Sequence, residues 1–260
     1  MMKKPLSVIK IGGNVIEDKS ALKVLLDLFS TLEGHKILVH GGGKRATELG
    51  EQLGIKAELV NGRRITNAQS LEITLMVYAG LLNKEIVAQL QARACNAIGL
   101  SGADGNSIYA HKRPVKTIDF GYVGDVDGVN TATLSSLLES GLVPVFCALT
   151  HDGKGQMLNT NADTIASEIA IGMSPFYETT LYFCFEKPGV LRDVNDESSV
   201  IKTIDSGVYR ELLEQEVIAG GMMPKLENCF HALENRVSKV CVGNISMLRP
   251  GVEQYTTLTL

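Results

Sequence analysis

The sequence predicts an α/β fold built on a mainly parallel sheet. Residues 6–11 and 36–40 have the apolar character of buried strands, and each segment runs into a glycine turn followed by an amphipathic helical segment. Parallel strands connected by helices place such turns together at one edge of the sheet, where these folds bind ligands. The 260-residue chain is 45% hydrophobic and 21% charged, so it is long and apolar enough to bury a sizeable core.

Helices follow the first two strands and the glycine turns after them. Ser20 is a suitable N-cap for a helix predicted over 21–33, and Gly54 ends a second helix predicted over 44–53. A longer helix is predicted over 68–97, because its apolar residues recur with helical spacing.

The middle of the chain combines turn residues with short β-prone pieces. Residues 99–105 have the composition of a loop, and residues 106–128 are predicted to form an antiparallel hairpin inserted into the alternating pattern. A helix predicted over 131–140 and a buried strand predicted over 142–149 then restore the alternation.

The final third of the chain continues the alternation beyond a candidate boundary at Ser174 and Pro175. Proline disfavours helix at the residue before it, so a helix is expected to end there. The predicted elements around this boundary are a helix at 162–172, strands at 179–185 and 238–242, and helices at 206–216 and 225–235.

Composition excludes several classes of protein. A net charge of −4, no tryptophan and 5% aromatic residues disfavour a nucleic-acid partner, which needs a basic face and stacking side chains. No run approaches the roughly 18 apolar residues of a membrane span, and the N-terminal residues lack a secretion signal. We therefore expect a cytoplasmic protein without a membrane partner. The five cysteines form no Cys-x-x-Cys pair and are expected to be reduced, packed thiols.

Glycine turns beside polar or cationic side chains are candidate anion sites. Lys10 lies next to Gly12 and Gly13, whose backbone N–H groups can face a phosphate at a helix N-terminus; a tight turn with a solvated lysine is the alternative. The three glycines after His40 also leave their amides open to a charged oxygen. His40 itself is expected to be a packed, hydrogen-bonded side chain, because no serine or cysteine nucleophile is paired with it.

Three further clusters carry polar groups that ordinary structural roles explain only in part. The arginine pair at 63–64 is suited to clamp a carboxylate, although both side chains could be surface ion-pair partners. Asn159, Asn161 and Asp163 stand at a helix start, where one cap does not need all three. Lys225 lies in the first turn of a predicted helix, where a cation opposes the helix dipole, so structural preference does not explain it.

Seven short motifs, taken together and in order, are informative about the family: residues 10–13, 40–43, 61–66, 99–106, 122–126, 159–163 and 220–225. In this order they resemble the amino-acid kinase family, and within it the subgroup that acts on N-acetyl-L-glutamate. The resemblance covers nearly the whole chain. It implies an open three-layer αβα sandwich with a mainly parallel central sheet. Residues 1–174 would form an N-terminal lobe for the acyl amino acid and for dimerisation, and residues 175–260 a C-terminal ATP lobe.

The resemblance also implies a reaction. The γ-phosphoryl group of ATP would pass to the side-chain carboxylate of an N-acylated L-glutamate, N-acetyl or N-succinyl, giving an acyl phosphate for arginine biosynthesis. ATP and Mg²⁺ are the implied cofactors, with the metal held largely by phosphates. A carboxylate nucleophile is ionised at neutral pH, so no histidine base is needed. The alternatives are another kinase of this fold, acting on aspartate, glutamate, carbamate or UMP, and a non-catalytic metabolite or nucleotide sensor.

Matching the family pattern position by position assigns three groups of site residues. Lys10 and Lys225 would stabilise the phosphoryl group during transfer, and Asp163 would hold both lysines. The residues implied in binding the acyl amino acid are Gly42, Gly43, Arg64, Asn159 and Asn161. Those implied in binding the nucleotide are Gly12, Gly13, Glu186, Lys187, Gly189, Val190, Leu191, Ile218, Gly220 and Gly221. No protein ligand for a metal is implied.

The chain departs from the family pattern at a few positions. Lys44 and Arg45 follow the triple glycine, where the family usually has proline and an acidic or amide residue. We hypothesise that one of them faces the acyl end of the substrate and favours a second carboxylate there; a solvated first helical turn is the alternative. Glu186 stands where the family usually has aspartate, and residues 255–260 fit the pattern poorly.

The resemblance also bears on assembly. Family members that arginine inhibits usually carry a helix before the first strand, and only about five residues precede that strand here. We therefore expect a homodimer that is insensitive to arginine.

Overall fold

A parallel sheet forms the centre of the molecule. The structure is a computed structural model that describes residues 3–60, 63–218 and 222–260, and within those ranges the main sheet has eight strands. In chain order, the strands of the described residues are β1 (Lys4–Ile11), β2 (His35–His40), β3 (Glu58–Val60), β4 (Arg63–Ile65), β5 (Ala97–Leu100), β6 (Ile108–Lys112), β7 (Gly124–Val129), β8 (Val143–Cys147), β9 (Leu149–His151), β10 (Met157–Asn159), β11 (Tyr177–Cys184), β12 (Thr203–Ile204), β13 (Lys239–Gly243) and β14 (Thr256–Leu258).

The strands of the main sheet follow the order β12-β14-β13-β11-β1-β2-β8-β5. All neighbours are parallel except β13 and β14, so the prediction of a mainly parallel sheet is confirmed. Val8 and Ile9 point to opposite faces of β1, and both are 0% exposed. Other elements therefore cover both faces of the sheet, as the prediction of a three-layer αβα sandwich requires.

Helices connect the strands at most crossings. In chain order the described helices are α1 (Gly13–Glu17), α2 (Lys19–Thr31), α3 (Gly43–Gln52), α4 (Ala68–Thr74), α5 (Asn83–Gln91), α6 (Thr131–Glu139), α7 (Ala162–Met173), α8 (Ser206–Glu214) and α9 (Met222–Glu234), with a π-helix at Leu75–Leu82 and 3₁₀ turns at Asp104–Asn106 and Ile245–Leu248. The predicted cap of α2 is wrong: Asp18, not Ser20, is its N-cap. The Asp18 carboxylate accepts hydrogen bonds from the backbone N–H groups of Ser20 and Ala21, at 2.9 and 3.0 Å.

The single helix predicted over 68–97 is wrong in two respects. Its middle is the π-helix, which joins α4 directly to α5, and the helix ends at Gln91, ahead of β5. Ala94 has a φ of 55°, the left-handed conformation that commonly follows a helix end. Periodicity alone did not show the break, because the residues between helix and strand are as apolar as those on either side.

A smaller sheet accompanies the main one. Over the described ranges it has four strands in the order β10-β9-β6-β7, and its β6–β7 pair confirms the hairpin predicted over 106–128. The single strand predicted over 142–149 is wrong, because the chain leaves the main sheet at the end of β8 and enters the smaller sheet as β9. β3 and β4 pair separately as a two-stranded antiparallel hairpin.

Both ends of the chain contribute strands to the main sheet. Residues 255–260, which fit the family pattern poorly, include β14, which lies between β12 and β13. Ser174 lies between α7 and β11, and all eight residues of β1 pair with β11, so one sheet spans both sides of the candidate boundary. The five cysteines are free and buried, as predicted. Among the described residues, no helix combines the length and apolar character needed to cross a membrane.

Candidate active site

The strand order brings the two glycine turns together. β1 and β2 are adjacent and parallel, and Ile11 pairs with His40, so the turns that start at Gly12 and Gly41 lie side by side at the carboxyl edge. On the other side of β1, the Gly12 N–H donates to the Cys184 carbonyl at 3.0 Å. The crevice that these turns border is where parallel α/β sheets bind their ligands.

Two lysines and an aspartate form an ion-paired cluster at this edge. Lys10 Nζ lies 2.7 Å from Asp163 Oδ1, and Lys225 Nζ lies 3.1 Å from Asp163 Oδ2. The side chains of Lys10, Asp163 and Lys225 are only 12, 17 and 14% exposed, so water and salt screen the pairs weakly. The fold thus brings together three residues that are distant in the sequence.

The lysines determine the charge state of the carboxylate between them. Burial raises the pKa of Asp163, but the charges and hydrogen bonds of Lys10 and Lys225 outweigh burial and lower the pKa to about 2. The cluster therefore holds one anion and two cations near neutral pH. It presents excess positive charge to the crevice, which suits an anionic ligand.

Phe183 supports the second lysine. It pairs with Lys10 in the β1–β11 register, and its ring centroid lies 5.4 Å from Lys225 Nζ. A ring face attracts a cation at this distance, so the fully buried phenyl group helps to hold the Lys225 ammonium beside Asp163. Sequence analysis did not single out Phe183, because it has the pattern of an ordinary core residue in a buried strand.

The second glycine turn packs closely against the π-helix. A methyl group at Gly42 would lie 2.5 Å from Leu82 Cδ1 and 2.9 Å from Tyr78 Cδ1, so no larger residue fits without displacing them. Gly43 begins α3, and the first N–H groups of that helix have no partner within the helix. These amides form a site for an anionic oxygen. Tyr78 and Leu82 were not predicted, because a π-helix depends on tertiary contacts.

Of the two candidate arginines, only Arg64 is placed at the glycine turn. Its Nη2 donates to the Gly43 carbonyl at 2.8 Å and to Thr47 Oγ1 at 2.6 Å, whereas Arg63 is exposed. Burial raises the pKa of Tyr78, and the nearby charge of Arg64 opposes that rise. The guanidinium thus lies between the turn and the π-helix, with further donors for a carboxylate.

The two candidate asparagines have different local roles. Asn161 is the N-cap of α7: its Oδ1 accepts from the N–H groups of Asp163 and Thr164 at 2.7 and 3.2 Å. Asn159 ends β10, and its Nδ2 donates to Thr66 Oγ1 at 3.0 Å. Capping thus accounts for Asn161, while Asn159 connects the smaller sheet to the segment that carries Arg64.

Apart from Gly12 and Gly13 at the first glycine turn, the residues matched to the nucleotide lie in the final third of the chain, after residue 175. Glu186 is exposed, and Lys187 Nζ pairs with Glu197 at 3.2 Å. Gly189 and Val190 are buried against the tail, where the Val190 N–H donates to Thr256 Oγ1 at 2.8 Å. Leu191 forms an isolated β-bridge with Val200, and Ile218 is buried. Gly220 and Gly221 lie outside the described residues.

The two extra cations after the triple glycine do not face Arg64. Lys44 Nζ lies 3.1 Å from Glu17 Oε2, and Arg45 Nη1 lies 3.0 Å from Glu48 Oε2. Arg64 contacts the face of α3 that carries Gly43 and Thr47, whereas Lys44 and Arg45 lie on other faces, since successive helical residues are rotated by about 100°. Each cation thus has a carboxylate partner within the chain, and the hypothesis that one of them receives a second substrate carboxylate stays a prediction.

An α/β sheet with two open glycine turns and a cationic cluster at one edge defines a class of proteins that handle phosphate and carboxylate ligands. This chain belongs to the amino acid kinase family, whose model matches residues 5–244. The family resemblance and the fold class that the sequence predicted are thereby confirmed.

Individual relatives cover nearly the whole chain. The chain is 54% identical over 250 residues to acetylglutamate kinase from Phocaeicola vulgatus, which covers 96% of this chain and 97% of that protein. It is 54% identical over 241 residues to acetylglutamate kinase from Bacteroides fragilis, with 93% and 92% covered. The solved structure of smu.665 from Streptococcus mutans superposes with a TM-score of 0.78 at 25% identity, covering 98% of each chain.

Proposed function

We propose that this protein transfers the γ-phosphoryl group of ATP to the side-chain carboxylate of N-acetyl-L-glutamate, giving an acyl phosphate and ADP, a step of arginine biosynthesis. The observation that carries the proposal is the cluster of Lys10, Asp163 and Lys225 beside the two glycine turns. The relatives named acetylglutamate kinase support the choice of acceptor.

The proposed reaction needs no base. The acceptor carboxylate is ionised at neutral pH, so one of its oxygens forms a bond to the γ-phosphorus while the bond from that phosphorus to the bridging oxygen breaks and ADP leaves. No proton is transferred. Lys10 and Lys225 balance the negative charge of the transferring oxygens, and Asp163 holds both ammonium groups in place before the substrates bind.

Mg²⁺ fits this site as a companion of the nucleotide. Two ammonium groups already occupy the Asp163 carboxylate, and the described part of the chain holds no group of three or more His, Cys, Asp or Glu placed to bind a metal. We therefore expect the phosphates of ATP to hold the ion, whose charge neutralises their oxygens.

The acyl amino acid would bind on the β2 side of the cluster. The backbone N–H groups of Gly42 and Gly43 would receive the reacting carboxylate, and Arg64 would clamp the α-carboxylate. Asn159 would contact the acylamino group, while Asn161 would keep the start of α7, and with it Asp163, in position. This arrangement assigns substrate binding to residues 1–174.

ATP would bind on the β11 side of the cluster. The turn at Gly12 and Gly13, directly after β1, would face its phosphates: the Gly13 N–H would contact them, while the Gly12 N–H donates to the Cys184 carbonyl and fixes the turn beside β11. The residues that would border the rest of the nucleotide are Glu186, Lys187, Gly189, Val190, Leu191, Ile218, Gly220 and Gly221. This arrangement assigns nucleotide binding mainly to residues 175–260, with the turn at Gly12 and Gly13 contributed by residues 1–174.

The proposed function is tested by measuring ADP release and trapping the acyl phosphate with hydroxylamine. The panel of acceptors is N-acetyl-L-glutamate, N-succinyl-L-glutamate, free L-glutamate, L-aspartate, carbamate and UMP. We expect ATP-dependent hydroxamate from an N-acylated glutamate and none from the free amino acids. Turnover confined to another acceptor would contradict the proposal, and nucleotide binding without any turnover would indicate a sensor.

We also propose that the protein is a homodimer formed through the π-helix. Met76 and Leu81 of that helix are 53% and 39% exposed, and β5, which follows α5, is an edge strand of the main sheet. An exposed apolar helix near an unpaired strand edge is typical of an interface that a second copy covers.

Light scattering tests the dimer. We expect the wild-type protein to have twice the chain mass, and the Met76→Glu/Leu81→Glu double variant to be a monomer, because two carboxylates would be buried without partners at the interface. Val194→Glu is the control for an added surface carboxylate, since Val194 is also apolar and exposed, at 68%, but lies after residue 175, away from the π-helix. A wild-type monomer, or a double variant that remains dimeric, would exclude this interface.

A further inference from the structure

His40 is a buried imidazole directly before the second glycine turn, and the proposed reaction gives it no role. It is fully buried, and both of its ring nitrogens have polar neighbours. Nδ1 lies 2.8 Å from the Gly41 carbonyl oxygen, and Nε2 lies 3.1 Å from Asn83 Nδ2. Asn83 is the first residue of α5, immediately after the π-helix.

The neighbours of Asn83 determine which nitrogen of His40 carries the proton. Asn83 Nδ2 also lies 2.9 Å from the Val145 carbonyl, which can only accept, and Asn83 Oδ1 accepts from Lys84 Nζ at 3.1 Å. The Asn83 amide therefore presents an N–H to His40 Nε2, which must accept. The ring proton is on Nδ1, which donates to the Gly41 carbonyl.

The imidazole remains neutral near pH 7. Burial, the largest effect, and the charge of Lys84 lower the pKa of His40 to about 4, although the hydrogen bond to Gly41 opposes the change. A neutral ring with Nε2 accepting and Nδ1 donating is thus the state in which the network is fully satisfied.

The hydrogen bond to Gly41 orients the peptide that follows. The Gly41–Gly42 peptide is trans, so its C=O and its N–H point in opposite directions. Because the carbonyl points to the buried ring of His40, the Gly42 N–H points away from that ring. The contacts of Gly42 with Tyr78 and Leu82 leave the turn little room to rotate.

We propose that His40, held in one tautomer by Asn83, is a positioning residue that aims the Gly42 N–H at the reacting carboxylate of the acyl amino acid. This inference rests on the proposed function, in which that amide receives the carboxylate. His40 touches neither substrate, and it acts through the backbone of the turn.

Two substitutions at one position separate this role from packing. In His40→Asn the side-chain amide nitrogen replaces Nδ1 and can still donate to the Gly41 carbonyl, whereas in His40→Gln it replaces Nε2 and cannot. We expect His40→Gln to raise KM for the acyl glutamate about tenfold or more, with KM for ATP changed less than about twofold. His40→Asn should recover most of that loss, although Asn is one methylene smaller than Gln and removes more volume from the core, so lost packing alone would give the opposite order.

Phe29→Leu is the control for lost packing. Phe29 is fully buried on α2, and its replacement should lower the melting temperature without changing either KM. Equal KM values for His40→Asn and His40→Gln would overturn the inference. If His40→Gln does not fold, KM for the acyl glutamate is measured in Asn83→Ala instead. An unchanged KM in that variant would also overturn the inference about His40. Absence of turnover in the wild-type protein would refute the proposed function rather than this role.

Discussion

Lys225→Ala should lower kcat at least a hundredfold while the protein remains folded. A preorganised cation that stabilises transition-state charge is typically worth about 3 kcal/mol, which corresponds to roughly a hundredfold or more in rate. The fold does not need this cation, because it stands in the first turn of α9, where positive charge opposes the helix dipole. Asp163 retains Lys10 as a partner in the variant.

The measurement is kcat at saturating ATP and acyl glutamate, together with thermal unfolding. Lys239→Ala is a matched control, because Lys239 Nζ also lies over an aromatic ring, 5.5 Å from the Tyr255 centroid, but away from the cluster. It should keep kcat near the wild-type value. Near-normal turnover in Lys225→Ala would show that the ammonium group has no part in phosphoryl transfer.

Asp163→Asn should reduce both activity and stability. In the wild type, the ammonium groups of Lys10 and Lys225 lie 2.7 and 3.1 Å from the Asp163 carboxylate oxygens, in a site shielded from water. The substitution removes the negative charge that both of them pair with. Breaking a buried ion pair by removing one partner typically costs about 3–5 kcal/mol of unfolding free energy. Activity falls as well, because the lysines lose the group that fixes their separation.

The pH dependence of the free energy of unfolding tests the ion pairs of Asp163 without an activity measurement. The pKa of Asp163 is lowered to about 2 in the folded state, below its usual value of 3.8, so its stabilising contribution is complete above about pH 4 and is lost as the pH falls towards 2. The shift corresponds to roughly 2 kcal/mol. Urea unfolding of the wild type and of Asp163→Asn between pH 2 and 6 should show a smaller acid-dependent loss in the variant. Parallel curves would mean that the lysines do not lower this pKa.

Sequence patterns predicted the parallel sheet and the candidate cluster for different reasons. The strands at 6–11 and 36–40 were recognisable because buried parallel strands are apolar runs that end in glycine. Lys225 was recognisable because a cation at a helix N-terminus is electrostatically out of place. Neither signal gives a distance, and the 2.7 and 3.1 Å contacts to Asp163 follow only from the packing of α7 against β1 and α9.

Features that depend on packing between distant segments could not be predicted from the sequence. The π-helix, where Tyr78 and Leu82 pack against Gly42, is an almost continuous apolar run that sequence patterns do not distinguish from an ordinary buried helix. The division of residues 142–149 into two strands depends on which sheet each half joins. The sequence also does not show that Lys44 pairs with Glu17, because the two residues lie on different helices.

The continuous pairing of β1 with β11 constrains how the two proposed substrates approach each other. All eight residues of β1 are joined to β11, and the same strand pairs with β2 on its other side. The two halves of the chain cannot swing apart on a flexible hinge without breaking this ladder. Any movement of residues 175–260 relative to residues 1–174 that keeps this ladder intact would have to change the twist of β1 and β11, and Lys10 lies on that shared ladder.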